Sequence, residues 1–196
     1  KFMLVYSHDE VVHGKSPMVG KMGSGYWDDK IATLRALYAY MWMWPGKKTL
    51  FMGDEIAQGH EWRYDESLEW SLLKYIQHEG VRESVRDVAK LYLSELAEND
   101  FNSIGFEWIN ADDGDNSVFS FLRFTSDGKR CYATVSNFTP VEQRAYRLGL
   151  PCGGVWKEVL NTDAKTYGGG GRGNMGKVEA VAEKAANRRP FGCDMV

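Results

Sequence analysis

Ser7-His8-Asp9-Glu10 sets a hydroxyl, an imidazole and two carboxylates side by side, directly after the apolar run Phe2-Met3-Leu4-Val5-Tyr6. A short apolar, β-compatible run reads as a buried strand. Ionisable groups at its exit belong on a rim, because an unpaired charge is costly to bury. In α/β barrels and open parallel sheets, ligands bind outside the carboxyl ends of the strands. The tetrad is therefore a candidate for acid, base or hydroxyl-binding work, with a helix N-cap or a solvated turn as the alternative. Thr49-Leu50-Phe51-Met52 repeats the pattern and ends in Gly53-Asp54-Glu55, with Gln58, His60, Glu61, Trp62 and Arg63 close behind. Acids, amides and an aromatic face suit a sugar, whose hydroxyls need hydrogen-bond partners and whose ring face needs an apolar platform. A divalent-metal cluster among His8, Asp9, Glu10, His13 and His60 is the rival reading, although no pair has the His-Glu-x-x-His helical register.

The elements that would position these groups follow from periodicity. The loop from Ser7 to Trp27 carries four glycines and a proline and exceeds the usual length of a βα connection, about 2 to 6 residues. Asp28 and Asp29 then favour a helix N-terminus. Ile31, Leu34, Leu37, Tyr38 and Met41 recur at helical spacing, and Pro45-Gly46 stops the run. Trp42 and Trp44 are expected to pack at its end. Strand, helix and second strand make a right-handed crossover with parallel strands, which brings both carboxyl ends, and so both acid groups, to one rim. Val81, Val85, Val88, Leu91, Tyr92 and Leu96 predict another helix between His78 and Ala97. These are two βα units, whereas a closed barrel needs eight strands and about 250 residues, so the remainder is expected ahead of Lys1.

After Asn99 the texture changes to short β-rich runs. They are Phe106-Glu107-Trp108-Ile109, Ser117 to Phe124, Cys131 to Asn137, Ala145 to Leu148 and Val155 to Leu160. Turn signals separate them, which predicts an antiparallel sandwich. The expected organisation is a barrel part over residues 1–100 and a β-sandwich over 101–196. The six glycines between Tyr167 and Gly176 read as a flexible turn. A phosphate cradle is rejected, since no Gly-Lys-Ser/Thr element or helix follows.

Composition narrows the classes. The 196 residues hold 24 Lys and Arg against 27 Asp and Glu, a net charge of -3 without a basic stripe, which argues against nucleic acid. No run is long and apolar enough to span a membrane. Three cysteines at unrelated spacings disfavour a disulfide framework and a zinc site and are read as reduced, in the cytoplasm.

The chain resembles the C-terminal part of the bacterial 1,4-α-glucan (glycogen) branching enzymes of the α-amylase superfamily. The likeness is carried by Leu4 to Lys15 (LVYSHDEVVHGK), Leu50 to Gln58 (LFMGDEIAQ) and Ser67-Leu68-Glu69-Trp70. It continues through Asn137-Phe138-Thr139-Pro140-Val141 and Glu158 to Asp163, up to about Val178. It implies the last two βα units of a (β/α)8 barrel followed by an antiparallel β-sandwich. It implies a parent enzyme that cleaves α-1,4 bonds and transfers the chain to a 6-hydroxyl with retention, acting on glycogen or amylose as a monomer without cofactor or metal. Asp9 is then the third catalytic carboxylate, His8 its hydroxyl-binding neighbour, and Glu10 and Trp62 further substrate-binding residues. The nucleophile and general acid would follow earlier strands. Asp54 stands where the family usually has an amide. Another hydrolase of the superfamily, or a glucan-binding module using Phe106, Trp108 and Trp156, are the alternatives. The tail from Ala185 to Val196 departs from the family, and no strand is expected there.

Overall fold

Two acids at its start and an apolar stripe behind them make α1 (Trp27–Met43), the first long element of the computed structural model, which describes residues 3, 6–23, 25–182 and 191–195. Ile31, Leu34, Tyr38, Met41 and Trp42 are buried along one side. The helix ends where Trp44 turns to extended backbone, as the residue before a proline must. α2 (Ile76–Leu91) runs on into a π-helical turn over Tyr92–Leu96 and covers most of the span expected from His78 to Ala97. Val81, Val88, Tyr92 and Leu96 face α1 in one core with Val11, Met18 and Val19 from the first long loop.

Thr49–Met52 is not a strand. Residues 47–51 carry no regular secondary structure, and among the described residues no strand pairs with them; a parallel strand exists only as part of a ladder. The other expected parallel strand, Phe2–Tyr6, falls largely outside the described residues. Of its members Met3 and Tyr6 are described, and neither is in a strand. All strand pairs among the described residues are antiparallel.

The β-rich half matches the expected runs closely. β1 (Phe106–Asp113), β2 (Val118–Phe124) and β3 (Cys131–Asn137) form one sheet in that order. β4 (Tyr146–Leu150) and β5 (Gly154–Lys157) sit within a residue or two of expectation at their starts, and β5 stops earlier. β6 (Lys177–Ala180) pairs with β5, and β7 (Phe191–Met195) pairs with β4. A bridge from Val181 to Gly192 links the two pairs. β7 corrects the expectation that no strand lies in the tail. Its Phe191 and Gly192 sit opposite Leu150 and Gly149, and such a short glycine-bearing strand is defined by its partner rather than by its own pattern.

Ile109, Leu122, Leu148, Leu150 and Ala180 fill the space between the sheets, with Phe124, Val135, Trp156 and Phe191 around them. The opposite face of β2 packs on α1: Phe121 meets Tyr40, Trp44, Phe106 and Trp108 at ring separations of 5.1 to 5.7 Å. β2 is thus buried on both faces, which is why it reads as a nearly continuous apolar run. Phe106 and Trp156 are packing residues, the Trp156 indole donating to the Cys152 carbonyl at 3.1 Å.

Candidate functional site

Ser7 to Glu10 form a single tight turn, a 3-10 segment over His8–Glu10 closed by a reciprocal cap. The Asp9 amide donates to the Ser7 hydroxyl at 3.3 Å, and the Glu10 carboxylate accepts the Ser7 amide at 2.6 Å and its hydroxyl at 3.0 Å. Two donors bound this way hold the Glu10 carboxyl below its usual range. The tetrad is a cap, and the cap leaves the side chains of His8 and Asp9 turned to solvent, with His8 Nε2 3.2 Å from Asp9 Oδ1. The Lys15 ammonium donates to the Asp9 carbonyl at 2.8 Å and ties the following loop to the same turn.

The second loop supports the first. Glu61 accepts the amides of Gly14 at 3.0 Å and Ser16 at 2.6 Å, which lowers its pKa and clamps a stretch where His13 (φ 59°) and Ser16 (φ 72°) sit in the left-handed region. Non-glycine residues hold that conformation only where the surroundings impose it. The Trp62 amide donates to the Val11 carbonyl at 3.3 Å. Its ring meets Phe51 edge-on at 5.2 Å, and Phe51 lies 6.1 Å from the His8 ring. Gln58 accepts the Glu69 amide at 3.0 Å, and His60 stands 3.5 Å from Glu69, so both amide and imidazole are spent on holding the loop.

Between the loops lies an open cleft of about 400 Å³, lined by His8, Val12, His13, Trp62, Arg63, Tyr64 and Asp65. The structure therefore brings His8 and Trp62 together across 54 residues of sequence, with Asp9 beside His8. Glu10 does not line the cleft. Asp54, from the second acid pair, is buried, and burial above all pushes its carboxyl up to about 7. Glu55 accepts the Gly53 amide at 3.0 Å. Tyr64, Asp65 and Val12 were not singled out in the sequence; the signal for the first two was their place directly after Trp62-Arg63 in a charged and aromatic loop. Arg63 is fixed by a two-pronged bond to Asp65 at 3.2 and 2.9 Å and by Glu66 at 3.2 Å.

Hydroxyl-binding groups, an aromatic wall and a carboxylate on a fixed turn could take a sugar. Residues 108–191 match the family model of the alpha amylase C-terminal all-beta domain. The chain is 51% identical over 181 residues to the 1,4-alpha-glucan branching enzyme GlgB of Aquifex aeolicus, 91% of this chain and 29% of that protein. It is 53% identical over 182 residues to GlgB 1 of Rhizobium etli, 92% of this chain and 24% of that protein. Over nine tenths or more of its own length the chain is similar to 1,4-alpha-glucan branching enzymes. A third relative, GlgB of Roseobacter denitrificans, is 51% identical over 197 residues, 100% of this chain and 27% of that protein. That alignment carries the likeness past Val178 and through the tail, which corrects the expectation that the tail departs from the family. The chain spans between about a quarter and three tenths of the length of these branching-enzyme relatives.

Proposed function

We propose that the chain is the part of a cytoplasmic 1,4-α-glucan branching enzyme that supplies the third carboxylate and one wall of the glucan site. Residues 1–100 would belong to the end of the catalytic barrel and residues 101–196 to the β-sandwich behind it. Because the chain spans 29% or less of each of these relatives, the nucleophile and the general acid are assigned to residues outside these 196. The observation that carries the reading is the Ser7–Glu10 cap, which spends Glu10 and leaves His8 and Asp9 side by side next to the Trp62 cleft.

In a retaining reaction the positive charge develops at the anomeric centre as the α-1,4 bond breaks, and the glucan is then held as a covalent glycosyl-enzyme. The acceptor 6-hydroxyl then attacks the anomeric carbon, its bond to the enzyme's nucleophilic carboxylate breaks as that carboxylate leaves, and the hydroxyl proton passes to the carboxylate that earlier served as acid. Asp9, held by its turn, can bind ring hydroxyls whose hydrogen bonds strengthen as that charge grows; His8 donates to an adjacent hydroxyl, and Trp62 offers a ring face. Such help acts mainly at the transition state.

The test is Asp9→Asn in the complete enzyme. Turnover on amylose, followed by loss of iodine colour and by new α-1,6 linkages, should fall on the order of 100-fold or more, with KM changed far less. Turnover within about threefold of the unsubstituted enzyme would remove Asp9 from the mechanism. New reducing ends without α-1,6 linkages would make the parent a hydrolase instead.

A further inference from the structure

Of the four histidines in the chain, three have rings already engaged. His8 stands 3.2 Å from Asp9, His60 lies 2.9 Å from the Glu61 carbonyl oxygen and 3.5 Å from Glu69, and the buried His78 is 2.8 Å from the Ile56 carbonyl oxygen. His13 is the exception. It is exposed, its imidazole forms no hydrogen bond or ion pair among the described residues, and it lines the same cleft as His8 and Trp62. Its backbone makes that placement costly. His13 (φ 59°), Gly14 (φ 78°) and Ser16 (φ 72°) put three of four consecutive residues in the left-handed region, which glycine would occupy at position 13 without strain. A solvent-exposed ring that brings neither packing nor a bond to the fold does nothing to offset that strain.

The strain is offset from the second loop. The two Glu61 oxygens accept the amides of Gly14 at 3.0 Å and Ser16 at 2.6 Å, and bonds of this charge-assisted kind are stronger than those between neutral groups. Trp62, the next residue, donates its amide to the Val11 carbonyl at 3.3 Å, so the two loops are joined on both sides of His13. Lys15, between the two clamped amides, ties the same segment to the Asp9 carbonyl at 2.8 Å. Hydrogen bonds thus run unbroken from Glu61 through the His13–Ser16 segment to the turn that presents His8 and Asp9. We propose that His13 is a glucan-binding residue, its imidazole bonded to a sugar hydroxyl in the cleft, and that Glu61 is the positioning residue that holds it there. A neutral imidazole carries one donor and one acceptor, and a hydroxyl is both, so the two are matched in either direction. The inference deepens the proposed function and rests on its reading of the cleft as a glucan site.

The test uses the complete enzyme, with the Kd of maltoheptaose from calorimetry and KM and kcat on amylose. His13→Gly removes the imidazole and the backbone strain together. Kd and KM should rise about fivefold to tenfold, as for a lost hydrogen bond, while kcat changes by less than about twofold. Its melting midpoint should be no lower than that of the unsubstituted enzyme, because the ring does not hold the fold. Glu61→Gln can accept only one of the two amides. It should raise Kd about threefold to fivefold with His13 in place and less than about twofold when combined with His13→Gly, because its effect passes through the imidazole. Unchanged Kd and KM in His13→Gly, or a fall in its melting midpoint, would overturn the glucan contact. Equal losses from Glu61→Gln with and without His13→Gly, or a Glu61→Gln enzyme that does not fold, would overturn the positioning role. An unsubstituted enzyme that binds maltoheptaose, weakens with His13→Gly and forms no α-1,6 linkages would overturn branching and support the contact. One that binds no maltoheptaose would overturn the cleft as a glucan site, and His13 with it.

Discussion

Arg123 shows how far a single residue can lie from its sequence appearance. It sits in the apolar strand β2, fully buried, and its guanidinium donates to the Gly105 carbonyl at 3.2 Å, the Met43 carbonyl at 2.6 Å and Asp100 at 2.8 Å. Tyr92 donates to the other Asp100 oxygen, and burial with that bond drives the phenol far above its ordinary value. The charges are compensated by hydrogen bonds from both halves of the chain, so removing one partner leaves the other stranded. Asp100→Ala should lower the unfolding free energy of the chain by about 3 to 5 kcal/mol, measured by urea titration. A loss below about 1 kcal/mol would mean that water reaches the guanidinium. None of this was legible beforehand, since a lone arginine in a strand carries no sign of a partner 23 residues away. His8 and Asp9 stand out in the sequence because their neighbours form a dense motif. The cap that Glu10 closes shows only when the Ser7 amide is seen to point at it.

At the scale of elements, the helices and the first five strands followed from spacing, and the failures were those of pairing. Periodicity reports which face a residue occupies, but whether β7 or the apolar run at 49–52 becomes a strand is decided by what lies alongside. The glycine run shows the same limit. Its composition reads as a flexible turn, and it does turn, but around the Asp163 carboxylate, which accepts the amides of Gly170 at 2.8 Å and Arg172 at 3.0 Å. The loop is then laid against the helices: the Arg35 guanidinium donates to the Thr162 carbonyl at 2.8 Å, and the Tyr167 hydroxyl to Asp87 at 2.9 Å. Gly80 in α2 is the point of closest approach, where an added Cβ would stand 2.1 Å from the Tyr167 carbonyl oxygen. In a free helix, Gly80→Ala would stabilise by about 1 kcal/mol through propensity. Here the contact should dominate, with a net loss of about 1 to 3 kcal/mol from overpacking and weakened attachment of the loop. A Gly80→Ala chain that melts higher than its parent would show that the loop yields without cost.

The whole molecule places two kinds of surface side by side. One core runs without interruption from α1 and α2 into β1 and β2, and the other fills the space between the sheets. Around α1 and α2, however, large apolar side chains stay in solvent: Trp27 and Tyr75 flank His78 at ring separations of 5.6 and 6.3 Å, and Ile76 follows Tyr75 with more than half its surface exposed. Met52 is half exposed at the end of an irregular run that has no ladder partner among the described residues. Contiguous apolar patches beyond several hundred Å² on a lone chain tend to find a partner, and an unpaired extended segment offers backbone donors and acceptors to another strand. A net charge of only -3 gives little repulsion to oppose this. The 196-residue chain should therefore associate as its concentration rises, with an apparent mass by size exclusion and light scattering that climbs above 22.2 kDa and falls on dilution. Substituting Trp27 and Ile76 with polar residues, which line neither the cleft nor either core, should shift that association to higher concentration. A monodisperse species at 22.2 kDa across the whole range would mean that the exposed face is tolerated in water as it stands.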